Sequence, residues 1–347
     1  MYMKIHDRYK AHFGRRDASS WRIGASSWSR DRIRSCVVIF AVLVLSAAAV
    51  SFAIIHLTSS SLHRSSAAST SLPTRLESYL GVYEKGPPSS YEPVNDFTRM
   101  VGRQPNLVGY YSGWGESFKT SFAKTVQGHG AATIVQMDPT LVSVSAIAAG
   151  YYDNYLRSFA KSVRAFRHPV VIGFGHEMNA NWYSWGYGHT SPEVFVTAWR
   201  HIVTMFRGQN ANNVTWLWTL QADEPGTGPI ARWWPGAKYV TWVGIDGYYY
   251  RPSETFASIF GKTIAQVRGL TGQPVLLSET AVGPVAGQEA KIPDLFAGMH
   301  HYGTLGLVWF DITQSNGLYH QDWHIEHSLA AEKAFRRGAS TLTLTRP

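Results

Sequence analysis

Two glutamates stand in near-matching settings about a hundred residues apart. Each closes a short apolar run that starts at a proline, Glu177 in "PVVIGFGHEMNANWYSWG" (residues 169–186) and Glu279 in "PVLLSETAVG" (residues 274–283). A short apolar run bounded by Pro and Gly reads as a fully buried parallel strand. A carboxylate at the C-terminal end of such a strand lies where α/β barrels build their sites. Two of them, on different strands, are the minimum equipment for acid/base-assisted cleavage of a glycosidic bond. In the retaining form one carboxylate attacks the anomeric carbon while the other protonates the leaving oxygen, across a gap of about 5–5.5 Å. A single strand-end glutamate is as well explained by a salt bridge to a neighbouring arginine. Two of them, each among aromatics, favour chemistry.

The elements that must position this pair are legible as alternating patterns from residue 72 onward. Apolar runs predict strands over 79–83, 107–111, 132–137, 170–174, 214–219, 240–245, 275–278 and 306–310. Helical patterns are read over 116–127, 144–166, 194–206, 256–267, 288–300 and 325–336. Eight strand–helix units in roughly 265 residues fit an α/β fold of the (β/α)8 TIM barrel type. Alternation alone also allows an open doubly wound sheet, but no "GxGxxG" or "GxxxxGK[ST]" follows any strand. On the barrel reading, strand four ends in Glu177 and strand seven in Glu279. Strand six leads to Asp246 and Tyr248 in "VGIDGYYY", and strand eight to Trp309 in "LGLVWFD". A tyrosine hydroxyl beside a nucleophilic carboxylate holds it in place and lowers its pKa. Trp309 is expected as the floor of the cleavage subsite. His176, Asn179, Trp182, Tyr183 and Trp185 surround Glu177, and Trp114 joins the aromatics expected to bind substrate.

Composition supports a sugar-binding cleft. The chain of 347 residues holds 13 tryptophans and 18 tyrosines, whose flat rings pack on the apolar face of a pyranose, although more than half of them are expected in the core. The net charge of +9 suggests nucleic acid at first sight, but residues 1–35 carry nine Lys/Arg against Asp7, Asp17 and Asp31. That surplus of six leaves +3 for everything else, so no nucleic-acid groove is expected. The basic tail of residues 1–35 precedes residues 36–55, an uncharged apolar segment about 30 Å long as a helix and therefore an expected transmembrane signal-anchor. Residues 56–71 form a Ser-rich linker, and residues 72–340 the catalytic domain. The expected topology is single-pass in the cell membrane with the barrel outside, or a secreted barrel if the segment is cleaved. The only cysteine, Cys36, lies in that segment, leaving the exported domain without disulfide or thiolate.

The motifs "GHEMNANWYSWG", "VGIDGYYY", "PVLLSET" and "LVWFD" resemble those of glycoside hydrolase family 26, the β-mannanase family of the large retaining (β/α)8 clan. The resemblance covers roughly residues 76–335, and its most specific part is "HEMN" followed by Trp182, five residues after Glu177. It implies Glu177 as acid/base and Glu279 as nucleophile. It further implies that His176 positions the acid/base, Tyr248 contacts the nucleophile, Trp182 and Trp309 are sugar platforms, and Asp246 supports the site. Ala180 and the segment "WLWTLQADEPG" depart from the family pattern in ways that bear on the sugar rather than on hydrolysis. The expected activity is hydrolysis of β-1,4-mannan or a related β-linked polysaccharide, with no cofactor. The alternative is a cell-surface carbohydrate-binding or exopolysaccharide-remodelling protein on the same barrel. His320, His324 and His327 have a spacing that could hold zinc, but nothing else in the sequence supports a metal and none is assigned. Asp138, Asp223 and Glu224 are read as spare carboxylates at the barrel mouth.

Overall fold

Eight runs rich in β-branched and aromatic residues pair side by side, all parallel, and close on themselves. They are β1 (Tyr79–Glu84), β2 (Leu107–Gly113), β3 (Ala132–Asp138), β4 (Val170–Phe174), β5 (Val214–Gln221), β6 (Trp242–Tyr249), β7 (Val275–Val282) and β8 (Gly306–Asp311). β1 pairs with both β2 and β8, which completes the barrel. The computed structural model describes residues 71–283, 287–314 and 321–347. The basic tail, the apolar segment and the spacer up to residue 70 lie outside the described residues. Among the described residues no helix is long and apolar enough to cross a membrane.

The helices form the outer layer: α1 (Glu92–Val101), α2 (Thr120–Gly128), α3 (Val144–Ala148), α4 (Asp153–Phe166), α5 (Pro192–Gly208), α6 (Lys262–Leu270), α7 (Gln288–Tyr302) and α8 (Leu329–Thr341). Two differences from the sequence patterns have local causes. The stretch 144–166 is two helices, because Gly150 adopts φ +83° between them. α1 was not anticipated; it begins with Pro93 in its first turn and buries only Val94, Phe97 and Val101.

Alternation along each strand sorts side chains into two cores. Tyr79, Tyr83, Leu107, Ile134, Val171, Leu217, Trp242, Leu276 and Val308 fill the barrel, while Val82, Val108, Val135, Ile172, Trp218, Val243, Leu277 and Trp309 face the helices. After α8 the chain runs under the barrel, where the N–H groups of Thr343 and Thr345 donate to the carbonyls of Glu77 and Ser78. This ties the lower rim of the barrel and leaves the C-terminal rim to the loops that carry the site.

Candidate active site

The upper part of the barrel interior changes from apolar to polar. Gln136 donates to Thr219 Oγ1 at 3.2 Å, and Ser278 donates to the fully buried Asp246 at 2.5 Å. Gly244 lies between these groups; a Cβ there would stand 2.4 Å from Ser278 Oγ and 2.7 Å from Thr219 Oγ1. A register shift in β7 turns two consecutive side chains inward at this level. Ser278 meets Asp246 from one position, and Glu279 rises from the next toward the mouth. Such a bulge is a common device for re-aiming a side chain at a site.

Glu279 receives two phenols. Tyr111, at the end of β2, donates to Oε1, and Tyr248, at the end of β6, donates to Oε2 at 2.7 Å. Both tyrosines are held well above the usual phenol range, chiefly by burial and then by the charge of Glu279, so they remain donors. Glu279 also stays raised, chiefly by burial, with the charge of His176 and the two phenolic hydrogen bonds pulling against the rise. Asp246 is pushed well up by burial and by the charges of Glu279 and Glu177, which favours its neutral form beside the pair.

Glu177 is placed differently. Beyond β4 the chain makes a turn with Gly175 at φ +53° and Glu177 itself at φ +54°. The backbone N–H of Glu177 donates to Thr219 O at 3.0 Å, which fixes the turn against β5. Asn179 completes the anchor, donating to the Gln221 carbonyl and accepting from the Gln221 N–H. The Glu177 side chain accepts one hydrogen bond, from Trp182 Nε1 at 2.6 Å. Burial lifts its pKa to about 7, with the charge of Glu279 adding to the rise and His176 opposing it. One oxygen from each of Glu177, Glu279 and Asp246 lies within 4.8 Å of the others.

His176 is clamped from both sides, Nδ1 by Asp138 at 2.9 Å and Nε2 by the Tyr183 hydroxyl at 3.1 Å. Burial acts to lower its pKa. The charge and hydrogen bond of Asp138, aided by Glu177 and Glu279, outweigh burial and push it up to about 10, so it is an imidazolium. Asp138 is thus the partner of His176, and not a spare carboxylate. Asp223 pairs with Lys262 at 2.7 Å, and Glu224 accepts from Gln221 at 2.8 Å.

Two aromatics expected to bind substrate, Trp309 and Trp185, are buried in the packing instead. Trp309 is fully buried against Phe335 of α8 in the helix-facing core, and its neighbour Phe310 is the β8 residue that reaches toward Tyr83 and Tyr248. Trp185 is buried, stacks on Tyr183 at 4.3 Å and donates to the His176 carbonyl, so it braces the loop instead of meeting a sugar. Trp114, half-buried just past the end of β2, packs against Tyr152, Tyr155 and Phe174. Glu177, Glu279, His176, Asp246, Tyr248 and Trp182 are brought together as expected. Tyr111 was missed, as was Trp323, which is buried against Tyr248 with ring centroids 4.8 Å apart. The signal for Tyr111 was an aromatic at the end of an apolar run.

A family model described as glycosyl hydrolase family 26 matches residues 129–342. The chain belongs to glycosyl hydrolase family 26. Among curated relatives, endoglucanase H of Acetivibrio thermocellus is 25% identical over 268 residues, which cover 72% of this chain and 29% of that protein. The β-1,3-xylanase TXYA of Vibrio sp is 26% identical over 179 residues, 46% of this chain and 36% of that one. The chain therefore spans about a third of the length of these relatives. A solved Cellulomonas fimi endo-β-1,4-mannanase double mutant superposes with a TM-score of 0.59 at 16% identity, covering 78% of this chain and 72% of that one. At that identity the likeness establishes the barrel and nothing finer.

Proposed function

We propose that this family 26 glycoside hydrolase is a retaining endo-β-glycanase of the mannanase kind, with Glu279 as nucleophile and Glu177 as acid/base. The observation that carries the reading is the unequal treatment of two carboxylates whose oxygens lie within 4.8 Å. A retaining mechanism needs that short gap, one charged carboxylate and one protonated. Glu279, with two phenols donating to it, keeps its charge and attacks the anomeric carbon. Glu177, raised to about 7, delivers its proton to the departing oxygen and then accepts one from the water that releases the sugar. The His176 imidazolium, fixed by Asp138 and Tyr183, stabilises the single negative charge of the pair as it passes from Glu279 to Glu177. Trp182, half-exposed, offers a ring face for the sugar while its N–H orients Glu177.

β-Linked mannan is the first substrate in this proposal, with β-glucan and β-1,3-xylan as the comparators that the relatives' names suggest. The test is incubation of the full chain with each polymer, following new reducing ends and the anomeric configuration of the first product by NMR. Retained β configuration on at least one polymer is expected; inversion, or no release by folded protein, would overturn the reading. From the sequence of residues 1–71 alone we also propose a membrane tether with the barrel outside. Protease added to intact cells would then remove the barrel and leave a small membrane fragment, whereas barrel recovered in the medium would contradict the tether.

A further inference from the structure

A second cluster of ionisable side chains sits beyond β8, outside the groups used in the proposed hydrolysis. The returning segment is anchored by Trp323 and Ile325, both fully buried, with the Ile325 N–H donating to Asp311 at 3.3 Å. Alternation along an extended segment then turns Asp322 and His324 outward together. The tight turn Ile325–His327 brings a second histidine over the same face. His324 Nδ1 lies 2.5 Å from Asp322 Oδ1, and His327 Nε2 lies 2.9 Å from Asp322 Oδ2. One donor atom from each of the three residues lies within 4.8 Å of the others. A backbone bridge between Thr313 and Asp322 holds the carboxylate in place, and Thr313 Oγ1 donates to it at 3.2 Å.

We propose that Asp322, His324 and His327 form a binding site for a divalent transition cation of the zinc type. Two imidazoles and one carboxylate are a donor set that zinc favours, and they leave a fourth position for water. With bonds of about 2.0–2.1 Å, ligand atoms around tetrahedral zinc stand about 3.3 Å apart, so the present contacts need open by less than about 1 Å. An ion here would brace the segment carrying Trp323, the ring against Tyr248, and so one wall of the cleft. Two histidines paired with a carboxylate for stability alone would give the same contacts but would not hold the metal.

The full chain, without a polyhistidine tag and stripped with chelator, is titrated with zinc chloride by calorimetry, and zinc retained after dialysis is counted. One ion per chain is expected, with binding weakened at least about tenfold in His324→Ala and in His327→Ala, the scale on which even an outer-shell partner matters. His300→Ala, on the opposite rim beside Glu77, keeps the affinity. His327 is more than half exposed, so its variant keeps the metal-free melting temperature and separates lost ligation from lost fold. No stoichiometric binding, or affinity that survives both substitutions, would overturn the site.

Discussion

Glu177 and Glu279 are the same residue in one cleft, built by opposite means. Glu279 stands within a strand, turned inward by a bulge and gripped by two phenols. Glu177 stands on a left-handed turn beyond a strand, with a single indole N–H on it. A non-glycine residue at φ +54° costs on the order of 1–3 kcal/mol, which the anchors to Thr219 and Gln221 sustain. Burial pushes both carboxyls up. Glu279 has two side-chain donors to its charged form and Glu177 has one, while the charge of His176 opposes the rise of both.

The largest way to break this comparison is to remove Glu279, the proposed nucleophile. Glu279→Ala is expected to lower kcat by about 10⁴-fold or more on every substrate, measured as initial rates on polymer and on aryl glycosides. Glu177→Ala is expected to cost about 10²–10⁴-fold on polymer, but far less on aryl glycosides whose leaving group needs no proton. Equal losses on the two substrate types would erase the assigned difference.

Smaller changes sharpen it through pH. Tyr111→Phe or Tyr248→Phe removes a donor to the ionised Glu279, so its pKa rises and the acidic limb of kcat/KM moves to higher pH. The accompanying loss is about tenfold, the scale of one hydrogen bond to a charged group. Activity also needs Glu177 protonated and falls as pH rises through about 7. Trp182→Phe removes the donor to that carboxylate, so the alkaline limb moves upward instead. The smallest effect is on stability. Glu177 has a folded pKa near 7, above its unfolded value, so its contribution is fully present below about 4.5 and is lost as pH rises through 7. Glu177→Gln is therefore expected to raise the melting temperature by a few degrees at pH 8 and to leave it unchanged at pH 4, by calorimetry.

Most of the barrel was legible because parallel strands buried on both faces read as continuous apolar runs between Pro and Gly. The same property hid which way each side chain points. "LGLVWFD" is apolar on both faces, so nothing in it says that Phe310 and not Trp309 faces the mouth. The bulge that aims Glu279 has no local sequence mark, and strand ends were read short by up to four residues, the stretch that carries Tyr248. The pairing of Asp138 with His176 joins the ends of neighbouring strands and is invisible until their register is known. The glutamates themselves were legible because each comes after an apolar run, and Glu177 is followed by Trp182, Tyr183 and Trp185.

The most direct measurement is mass spectrometry of the protein inactivated by a 2-deoxy-2-fluoro glycoside with an activated leaving group, which slows release of any covalent intermediate. The account predicts a single sugar adduct on the peptide that contains Glu279, absent in Glu279→Ala and still formed in Glu177→Ala. An adduct on Glu177, or turnover with no adduct at all, would contradict it.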